Sequence, residues 1–344
     1  MMEPLAAVTA RMVANASTPP VLAEALKVAA ERPLVTRFPI AGRDEWLFWR
    51  QQDVTASAVG CLLGVHEYQT PYGLWALKTG AIAEDPEETG PMRRGRLLEP
   101  VAIQLLREER PTWKVEQPGV YLRDVQARLG ATPDAFAVDP DRPGFGVVQV
   151  KTVEPGVFRR KWRDEDGAVT PPLWIAVQAI TEAHLAGAQW AAVAALTVGF
   201  GVDIHVVPVP IHAGVVGRIY TAVAAFWRMV GEDRPPYPDY GRDLRLVEAL
   251  FEGRDEVADL SSDNALPALA DEREALSSAK STAENRLKEI KGEFLVKLGG
   301  AAAGRIADGR MLTAKRIDKA PYSVKASSYV NVTVKKPRTM ENAE

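Results

Sequence analysis

The spacing of apolar residues changes near position 110, and this change constrains the fold of the chain more than any other feature. From Met92 to Glu109 the apolar side chains recur at helical spacing and form one stripe: Leu97, Leu98, Val101, Leu105 and Leu106. Short apolar or β-branched runs follow, separated by Gly, Pro and Asp, at Trp113–Leu122, Asp134–Val138 and Gly146–Thr152. The pattern therefore predicts a helix before this point and three strands after it.

Helical spacing returns further along the chain, and the order of the elements indicates the fold class. Pro172–Leu185 and His212–Val230 are predicted helices. Between them lie two predicted strands, Trp190–Val198 and Val202–Val209, joined by a Gly-Phe-Gly turn. This order predicts an α/β fold in which a mixed sheet is flanked by helices.

Proline-rich sequence and a long polar helix divide the rest of the chain. Residues 234–241 (Arg-Pro-Pro-Tyr-Pro-Asp-Tyr-Gly) are typical of a linker. We expect an N-terminal arm and helix at 1–34, a core domain at 35–235, a linker with a short helix at 236–264, and a C-terminal module at 265–344. Individual elements expected within these segments are helices at Val21–Glu31, Ala56–Leu63, Pro71–Thr79 and Asp271–Leu298, and strands at Arg310–Ile317 and Tyr329–Lys336.

Composition excludes several classes of protein. The one cysteine, Cys61, rules out an internal disulfide framework and a cysteine-built zinc site, and the four histidines show no metal-ligand spacing. The sequence has no apolar run approaching a membrane span and no basic start followed by an apolar run, so we expect a cytoplasmic protein with no membrane partner. A net charge of −3 permits a nucleic-acid partner without arguing for one.

Polar side chains with metal-binding and proton-transfer chemistry stand where they can converge. Asp134 lies at the start of one predicted strand, Lys151 near the end of the next, and Glu99 on the preceding helix. Gln149 is two residues before Lys151, so both side chains point to one face of the strand. Mg²⁺ accepts carboxylate, amide and carbonyl oxygens, the last from Val150, and a lysine can orient the attacking water. The group suits phosphodiester hydrolysis, although a turn aspartate and a solvated strand lysine explain this spacing at least as well.

Five blocks of sequence occur in one order, and this order is more specific than any single block. They are Trp49–Ser57 with its continuation through Gly64 and Thr70–Gly80, Gly95-Arg-Leu-Leu-Glu-Pro100, Gly130-Ala-Thr-Pro-Asp-Ala135, Gln149-Val-Lys-Thr152, and Trp174–Gln178 followed by Ala186-Gly187. Over roughly residues 43–210 the chain therefore resembles the lambda-exonuclease/YqaJ-type viral recombinase family. The resemblance implies a PD-(D/E)xK restriction-endonuclease-like core, here with a C-terminal helical and β appendage.

The resemblance also implies roles for the convergent polar residues. Asp134 and Gln149 would be metal ligands, and Lys151 would be the catalytic lysine. Glu99 would be an acidic helper near the metal, and Gln178 would contact the substrate or water.

A second set of matching residues would hold the 5′-phosphate of a DNA end. Arg50 and Ser57 match residues that the family uses for this purpose, and Thr132 lies beside the same pocket. Arginine offers phosphate a bidentate fork, and a serine near a helix start adds further donors. Without the resemblance, a surface arginine and an ordinary N-cap serine would be the simpler interpretation.

Basic residues after the lysine strand are further candidates for DNA contacts. Arg159 and Arg160 could follow a DNA backbone, and Trp162 could stack on a base or wedge an end. A solvated loop with one packed tryptophan explains the same residues equally well.

The sequence departs from the family pattern at two places. Gln149 stands where the family has glutamate, which removes one negative charge and should weaken Mg²⁺ binding. The substitution is compatible with a tolerated natural variant, an inactivating change, or a protein that keeps DNA binding without cleavage. After Gln178, Ile180 occupies the position of the family's second glutamine and Glu182 follows, so a carboxylate there could partly compensate for the charge missing at 149.

These observations predict a nuclease that uses Mg²⁺, with Mn²⁺ as a substitute, and no ATP, since the chain has no Gly-rich phosphate loop. The resemblance implies digestion of double-stranded DNA ends from 5′ to 3′, an annealing protein as partner, and a ring-like homo-oligomer. Two alternatives stay open. One is a DNA-end-binding protein without turnover, and the other is a metal-dependent hydrolase of a different substrate that uses Glu99 and Asp134.

Overall fold

The computed structural model describes residues 35–83, 88–320, 323 and 329–334. The chain divides into two compact units, Met1–Leu250 and Phe251–Glu344. The predicted arm and helix at 1–34 lie outside the described residues. Within the described ranges, no helix combines the length and apolar character that a membrane crossing requires. The four-segment division expected from the sequence stays a prediction.

A five-stranded mixed sheet forms the centre of the first unit. Its strands, in spatial order, are β3 (Lys114–Glu116), β6 (Ala135–Val138), β7 (Gly146–Val153), β8 (Trp190–Val198) and β9 (Val202–Val209). The pair β7–β8 is parallel and the other neighbouring pairs are antiparallel. Buried valine and alanine side chains fill both faces of β7 and β8, as expected for strands covered on both sides.

A smaller four-stranded sheet lies in the same unit. Its order is β1 (Val35–Pro39), β4 (Val120–Asp124), β5 (Leu129–Ala131) and β2 (Val54–Thr55). The short strand β2 runs parallel to β5, and Thr55 lies opposite Gly130. This pairing brings the segment after β2 next to the segment after β5, where several of the predicted site residues lie.

Helices cover the sheets; the sequence predicts five of them to within two residues of their bounds, but not those at Arg43–Gln52 and Pro155–Lys161. The helices are α1 (Arg43–Gln52), α2 (Ala56–Leu62), α3 (Pro71–Lys78), α4 (Gly90–Glu109), α5 (Pro155–Lys161), α6 (Leu173–Ala186), α7 (Ala213–Gly231) and α8 (Leu244–Leu250). Helix α6 packs on β7 and β8 and contacts α2, so it is buried on most of its circumference. The predicted α/β architecture, a mixed sheet flanked by helices, is confirmed.

The single strand predicted at Trp113–Leu122 is wrong. The segment splits into β3, which pairs in the central sheet, and β4, which pairs in the smaller sheet. Between them Gly119 has φ +55°, a conformation that glycine adopts without the steric cost of a Cβ atom. The turn at this glycine redirects the chain from one sheet to the other.

The second unit consists of a long helix and a strand pair. Helix α9 spans Leu266–Leu298, and β10 (Ala303–Arg305) pairs antiparallel with β11 (Met311–Thr313). The strand predicted at Arg310–Ile317 is therefore confirmed only near its start, at Met311–Thr313, because β10 offers just three residues to pair with. Residues 329–334 form no strand, contrary to prediction, and 335–336 lie outside the described residues. Here the carbonyl of Val332 instead accepts a hydrogen bond from Arg273 Nη2 at 2.6 Å.

Candidate active site

One cavity of about 370 Å³ in the first unit gathers most of the residues that the sequence singles out. It is lined by the predicted hydrolytic group (Glu99, Asp134, Gln149, Lys151 and Gln178) and by the predicted phosphate-binding residues (Arg50, Ser57 and Thr132). They come from helices α1, α2, α4 and α6, from strand β7 and from the loop between β5 and β6. The fold thus brings together in one cavity residues that lie between positions 50 and 178 of the sequence.

The pairing of β6 with β7 places Asp134 beside Gln149. Ala135, the first residue of β6, pairs with Val148 on β7. Asp134, just before β6, therefore lies across from Gln149, the residue that follows Val148. The amide nitrogen of Gln149 donates hydrogen bonds to the Asp134 carboxylate and, at 3.1 Å, to the carbonyl oxygen of Val150. The Val150 backbone N–H donates to the same carboxylate oxygen at 2.7 Å. The Asp134 and Val150 oxygens therefore converge on one point, which the Gln149 nitrogen occupies.

A chain of buried polar groups extends from Gln149 into helix α6. The Gln178 amide nitrogen donates to Gln149 Oε1 at 2.8 Å and to Glu182 Oε1 at 2.9 Å. Gln178 Oε1 and Glu182 Oε2 are buried and have no hydrogen-bond partner. Unpartnered buried oxygens are uncommon in folded proteins, because each loses its hydration without replacement. Oxygens of this kind are the donors that a hard divalent cation prefers.

Burial shapes the titration of the carboxyl groups around this point. It raises the pKa of Asp134 to about 7, against the lowering effect of the Lys151 charge, and the charge of Glu99 raises it further. Burial also raises the pKa of Glu182 well above its ordinary value, and the negative charge of Asp134 adds to this effect. The pKa of Glu99 is raised by burial, while a hydrogen bond from Gln117 (3.3 Å) and the charge of Lys151 lower it. Negative charge is thus costly here unless a cation accompanies it.

Lys151 lines two cavities. Gln149 and Lys151 project from the same face of β7, as their spacing predicts, and both line the first cavity. A second cavity of about 830 Å³ also includes Lys151, together with Tyr68, Arg94 and Trp174. The Lys151 ammonium is 5.7 Å from the centre of the Trp174 ring. Trp174 therefore forms one wall beside the lysine.

Trp46 organises the predicted phosphate-binding residues, and sequence reasoning missed it. The Arg50 guanidinium lies over the Trp46 ring at 4.4 Å, and the Trp46 indole N–H donates to Thr132 Oγ1 at 3.2 Å. The hydroxyls of Ser57 and Thr55 are hydrogen-bonded at 3.0 Å. Trp46 precedes Arg50 by four residues, a spacing that puts both on one face of a helix and could have identified it.

The candidate DNA contacts that follow the lysine strand lie outside the first cavity. Arg159 and Arg160 are exposed near the end of α5. Trp162 is only 2% exposed and stacks on Phe158, with ring centroids 5.7 Å apart. The predicted stacking of Trp162 on a DNA base is therefore wrong, and the ring is a packed tryptophan.

The donor set for a cation is short of one acid. In the part of the chain that the structure describes, no three His, Cys, Asp or Glu side chains cluster as a ready metal site. Gln149 is the cause within the cavity, because an amide stands at the position beside Asp134. The remaining oxygens still fit a hard cation: the Asp134 carboxylate, the Val150 carbonyl, the Gln149 amide oxygen after a half-turn, and the nearby Glu99 and Glu182 carboxyls.

Comparison with known proteins confirms the family resemblance. Residues 45–189 match the family model of the YqaJ-like viral recombinase domain, which covers every residue that lines the first cavity. The chain is 23% identical over 267 residues to the uncharacterized protein YqaJ of Bacillus subtilis strain 168, which covers 77% of this chain and 69% of that protein. Among solved structures, an alkaline exonuclease of Laribacter hongkongensis, LHK-Exo, is 20% identical, with a TM-score of 0.44 over 56% of this chain and 94% of that chain. Its complex with dAMP gives a TM-score of 0.41 at the same identity and coverage.

Proposed function

We propose that this chain is a metal-dependent DNA nuclease that degrades double-stranded DNA from its ends. One observation carries the proposal: residues suited to holding a terminal phosphate and residues suited to phosphodiester hydrolysis line the same cavity of about 370 Å³. A phosphate held by Arg50, Ser57 and Thr132 would present the adjoining phosphodiester to Asp134 and Lys151. Such an arrangement selects a strand end, because a continuous strand offers no terminal phosphate to that pocket.

Mg²⁺, or Mn²⁺ in its place, is the proposed cofactor. Asp134, the Val150 carbonyl and the Gln149 amide oxygen would hold it, with Glu99 nearby. A bound divalent cation would neutralise charge on the phosphate and make a water molecule more acidic. Gln149 has to turn its amide by half a rotation first, because its nitrogen now faces the Asp134 and Val150 oxygens. The proposal includes no ATP, because the sequence has no Gly-rich phosphate-binding loop.

The side chains of the cavity divide the remaining work. Lys151 would orient the attacking water and stabilise the negative charge that develops on the phosphate oxygens. Gln178 would contact the substrate or that water from helix α6. Arg50, which lies over Trp46, would grip the 5′-phosphate with a bidentate fork. Because the 5′ end is held, cleavage would proceed from 5′ to 3′.

The wider biological setting follows from the family resemblance. Digestion of one strand would expose the other as a single strand for an annealing protein. A ring-like homo-oligomer around the DNA and a location in the cytoplasm of a bacterial host complete this proposal.

Degradation of a 5′-phosphorylated linear duplex in Mg²⁺ and in Mn²⁺ tests the proposal. We expect the chain to degrade the linear DNA, to leave a closed circular duplex intact, and to lose activity as Lys151→Ala. The assignment of the site would be overturned if none of three proteins either cut or bound DNA: the unaltered chain, Gln149→Glu and Lys151→Ala.

A second candidate is a DNA-end-binding protein on the same fold without turnover. The hydrogen bond from Gln149 to Asp134 favours this candidate. The bond holds the groups that would bind a cation together when no cation is present. In that case only Gln149→Glu would degrade the duplex, while both proteins would bind its ends. A hydrolase of another substrate class would instead show no salt-dependent binding to duplex DNA.

A further inference from the structure

Glu182 is a buried carboxyl group in the wall of the first cavity. It is 1% exposed, and its Oε1 accepts a hydrogen bond from Gln178 at 2.9 Å. Its second oxygen, Oε2, is buried without a hydrogen-bond partner, although the side chain lines the same cavity as Asp134 and Lys151. An acidic group kept in this state costs folding free energy unless a ligand compensates it. The side chain is therefore placed for a positively charged ligand.

Glu182 is connected to Asp134 by an unbroken series of hydrogen bonds. Asp134 accepts from Gln149, Gln149 accepts from Gln178, and Gln178 donates to Glu182. Both carboxyl groups line the same cavity. Divalent cations such as Mg²⁺ are usually held by one or two carboxylates. At this site Asp134 is one, and the side chain at 149 is neutral.

We propose that Glu182 is the second acidic group of the cation site and supplies from helix α6 the negative charge that Gln149 does not supply from strand β7. The inference rests on the proposed function, because it takes the cavity to bind a divalent cation. Gln178 is hydrogen-bonded to both Glu182 and Gln149 in the metal-free structure and lies between them. Glu182 acts here as a charge-supplying and positioning residue.

The affinity of the full chain for Mn²⁺, measured by titration calorimetry without DNA, tests this inference. Glu182→Gln keeps the shape of the side chain and removes its charge. We expect it to bind Mn²⁺ at least about tenfold more weakly, the size of effect typical when groups surrounding a metal site are changed. Glu165→Gln, which removes the same charge from an exposed loop, should leave the affinity unchanged. Unaltered affinity in Glu182→Gln would overturn the inference.

Moving the charge back to the strand separates an electrostatic role from a structural one. The double variant Gln149→Glu with Glu182→Gln carries the same number of acids as the original chain. We expect its Mn²⁺ affinity to return close to that of the original. The inference would be overturned if Glu182→Gln bound Mn²⁺ more weakly and the double variant did not recover the affinity. The loss would then reflect damage to the packing of α6.

A third comparison applies if Glu182→Gln alone does not fold, as judged by circular dichroism. Gln149→Glu should bind Mn²⁺ at least about tenfold more tightly than the double variant, and equal affinities would overturn the inference. The DNA-degradation assay tests the proposed nuclease function separately from the role of Glu182. A chain that loses Mn²⁺ affinity as Glu182→Gln but never cuts DNA contradicts only the proposed nuclease function. A chain that cuts DNA while Glu182→Gln keeps its Mn²⁺ affinity contradicts only the role of Glu182.

Discussion

Gln149 donates a hydrogen bond from its side-chain amide to the carboxylate of Asp134, across the antiparallel pair β6–β7. A glutamate at 149 could not donate this bond and would place a second negative charge against the first. The amide therefore stabilises the arrangement of the two strands when no cation is bound. The same amide lacks the negative charge with which a glutamate would attract a cation.

Gln149→Glu should make folding stability depend on the cation. Without metal the variant places two carboxylates side by side in a buried site, so its thermal midpoint in EDTA should fall below that of the original chain. Added Mg²⁺ should raise the midpoint of the variant more than that of the original, because binding to the folded state alone stabilises it. Differential scanning fluorimetry measures both effects.

An exposed glutamine provides the matched control. Gln104 donates a hydrogen bond to Glu108 at 2.9 Å on the exposed face of α4. Gln104→Glu therefore also sets two carboxylates together, but in water, where the repulsion is screened. An equal loss of thermal stability in both variants would contradict the proposed importance of the buried site.

Lys151→Ala should abolish cleavage and spare DNA binding. We expect a loss of about a hundredfold to ten-thousandfold in the rate of degradation, the range typical for removal of a group that orients or deprotonates a nucleophile. The affinity for a duplex end, measured by fluorescence anisotropy, should change far less. Lys114→Ala, on the exposed side of β3, controls for the loss of one positive charge. Loss of binding in parallel with loss of cleavage would identify Lys151 as a simple phosphate contact.

Arg50→Ala should remove the preference for phosphorylated ends. A charged hydrogen bond of the kind that arginine makes with phosphate contributes about 1.5–3 kcal/mol, which corresponds to about tenfold to a hundredfold in affinity. We therefore compare degradation of a 5′-phosphorylated duplex with that of a 5′-hydroxyl duplex. The ratio between the two should fall towards unity in the variant. A ratio that stays unchanged would show that Arg50 does not read the end.

The central elements of the fold could be predicted from sequence because their residues repeat at the spacing of the structure. Strands β8 and β9 have the predicted bounds, since both are apolar or β-branched runs bordered by turn residues. Gln149 and Lys151 share a face because side chains alternate along any strand. The convergence of Asp134 with both required only that adjacent strands pair.

Other features depend on contacts that no local pattern encodes. The split at Gly119 is set by which sheet each half of the segment joins. The burial of Trp162 depends on its stacking against Phe158 within the fold. Helix α1, which carries Trp46 and Arg50, has only one buried residue, Trp49, so its apolar spacing gives a weak helical signal.

Gly130→Ala should destabilise the protein through a close approach behind the active site. A Cβ atom at this position would lie 2.0 Å from the hydroxyl oxygen of Tyr121. Tyr121 cannot move aside easily, since it is fully buried and its hydroxyl donates to the Asp53 carboxylate at 3.3 Å. We expect a loss of about 1–3 kcal/mol in the free energy of unfolding, measured in urea.

Gly217→Ala is the control for this substitution. Gly217 lies within helix α7, and a Cβ atom there would have nothing within 4 Å. This change should stabilise the protein by about 0.5–1 kcal/mol, because alanine favours the helix. Equal effects at the two positions would contradict the steric argument.

The raised pKa of Asp134 predicts how stability without metal should vary with pH. Burial raises this pKa from its ordinary value of 3.8 to about 7. Below the ordinary value the group is protonated in both states, so the folded protein bears no penalty. Between the two values the unfolded chain releases the proton that the folded chain retains, so stability falls as pH rises and the loss is complete above about 7.

The variant Asp134→Asn provides the comparison, because its side chain has no proton to release. In EDTA, therefore, the thermal midpoint of the original chain relative to Asp134→Asn should decline from pH 4 to about 7 and then level off. If the difference between the two thermal midpoints stayed constant from pH 4 to about 7, the pKa of Asp134 would not be raised in the folded protein.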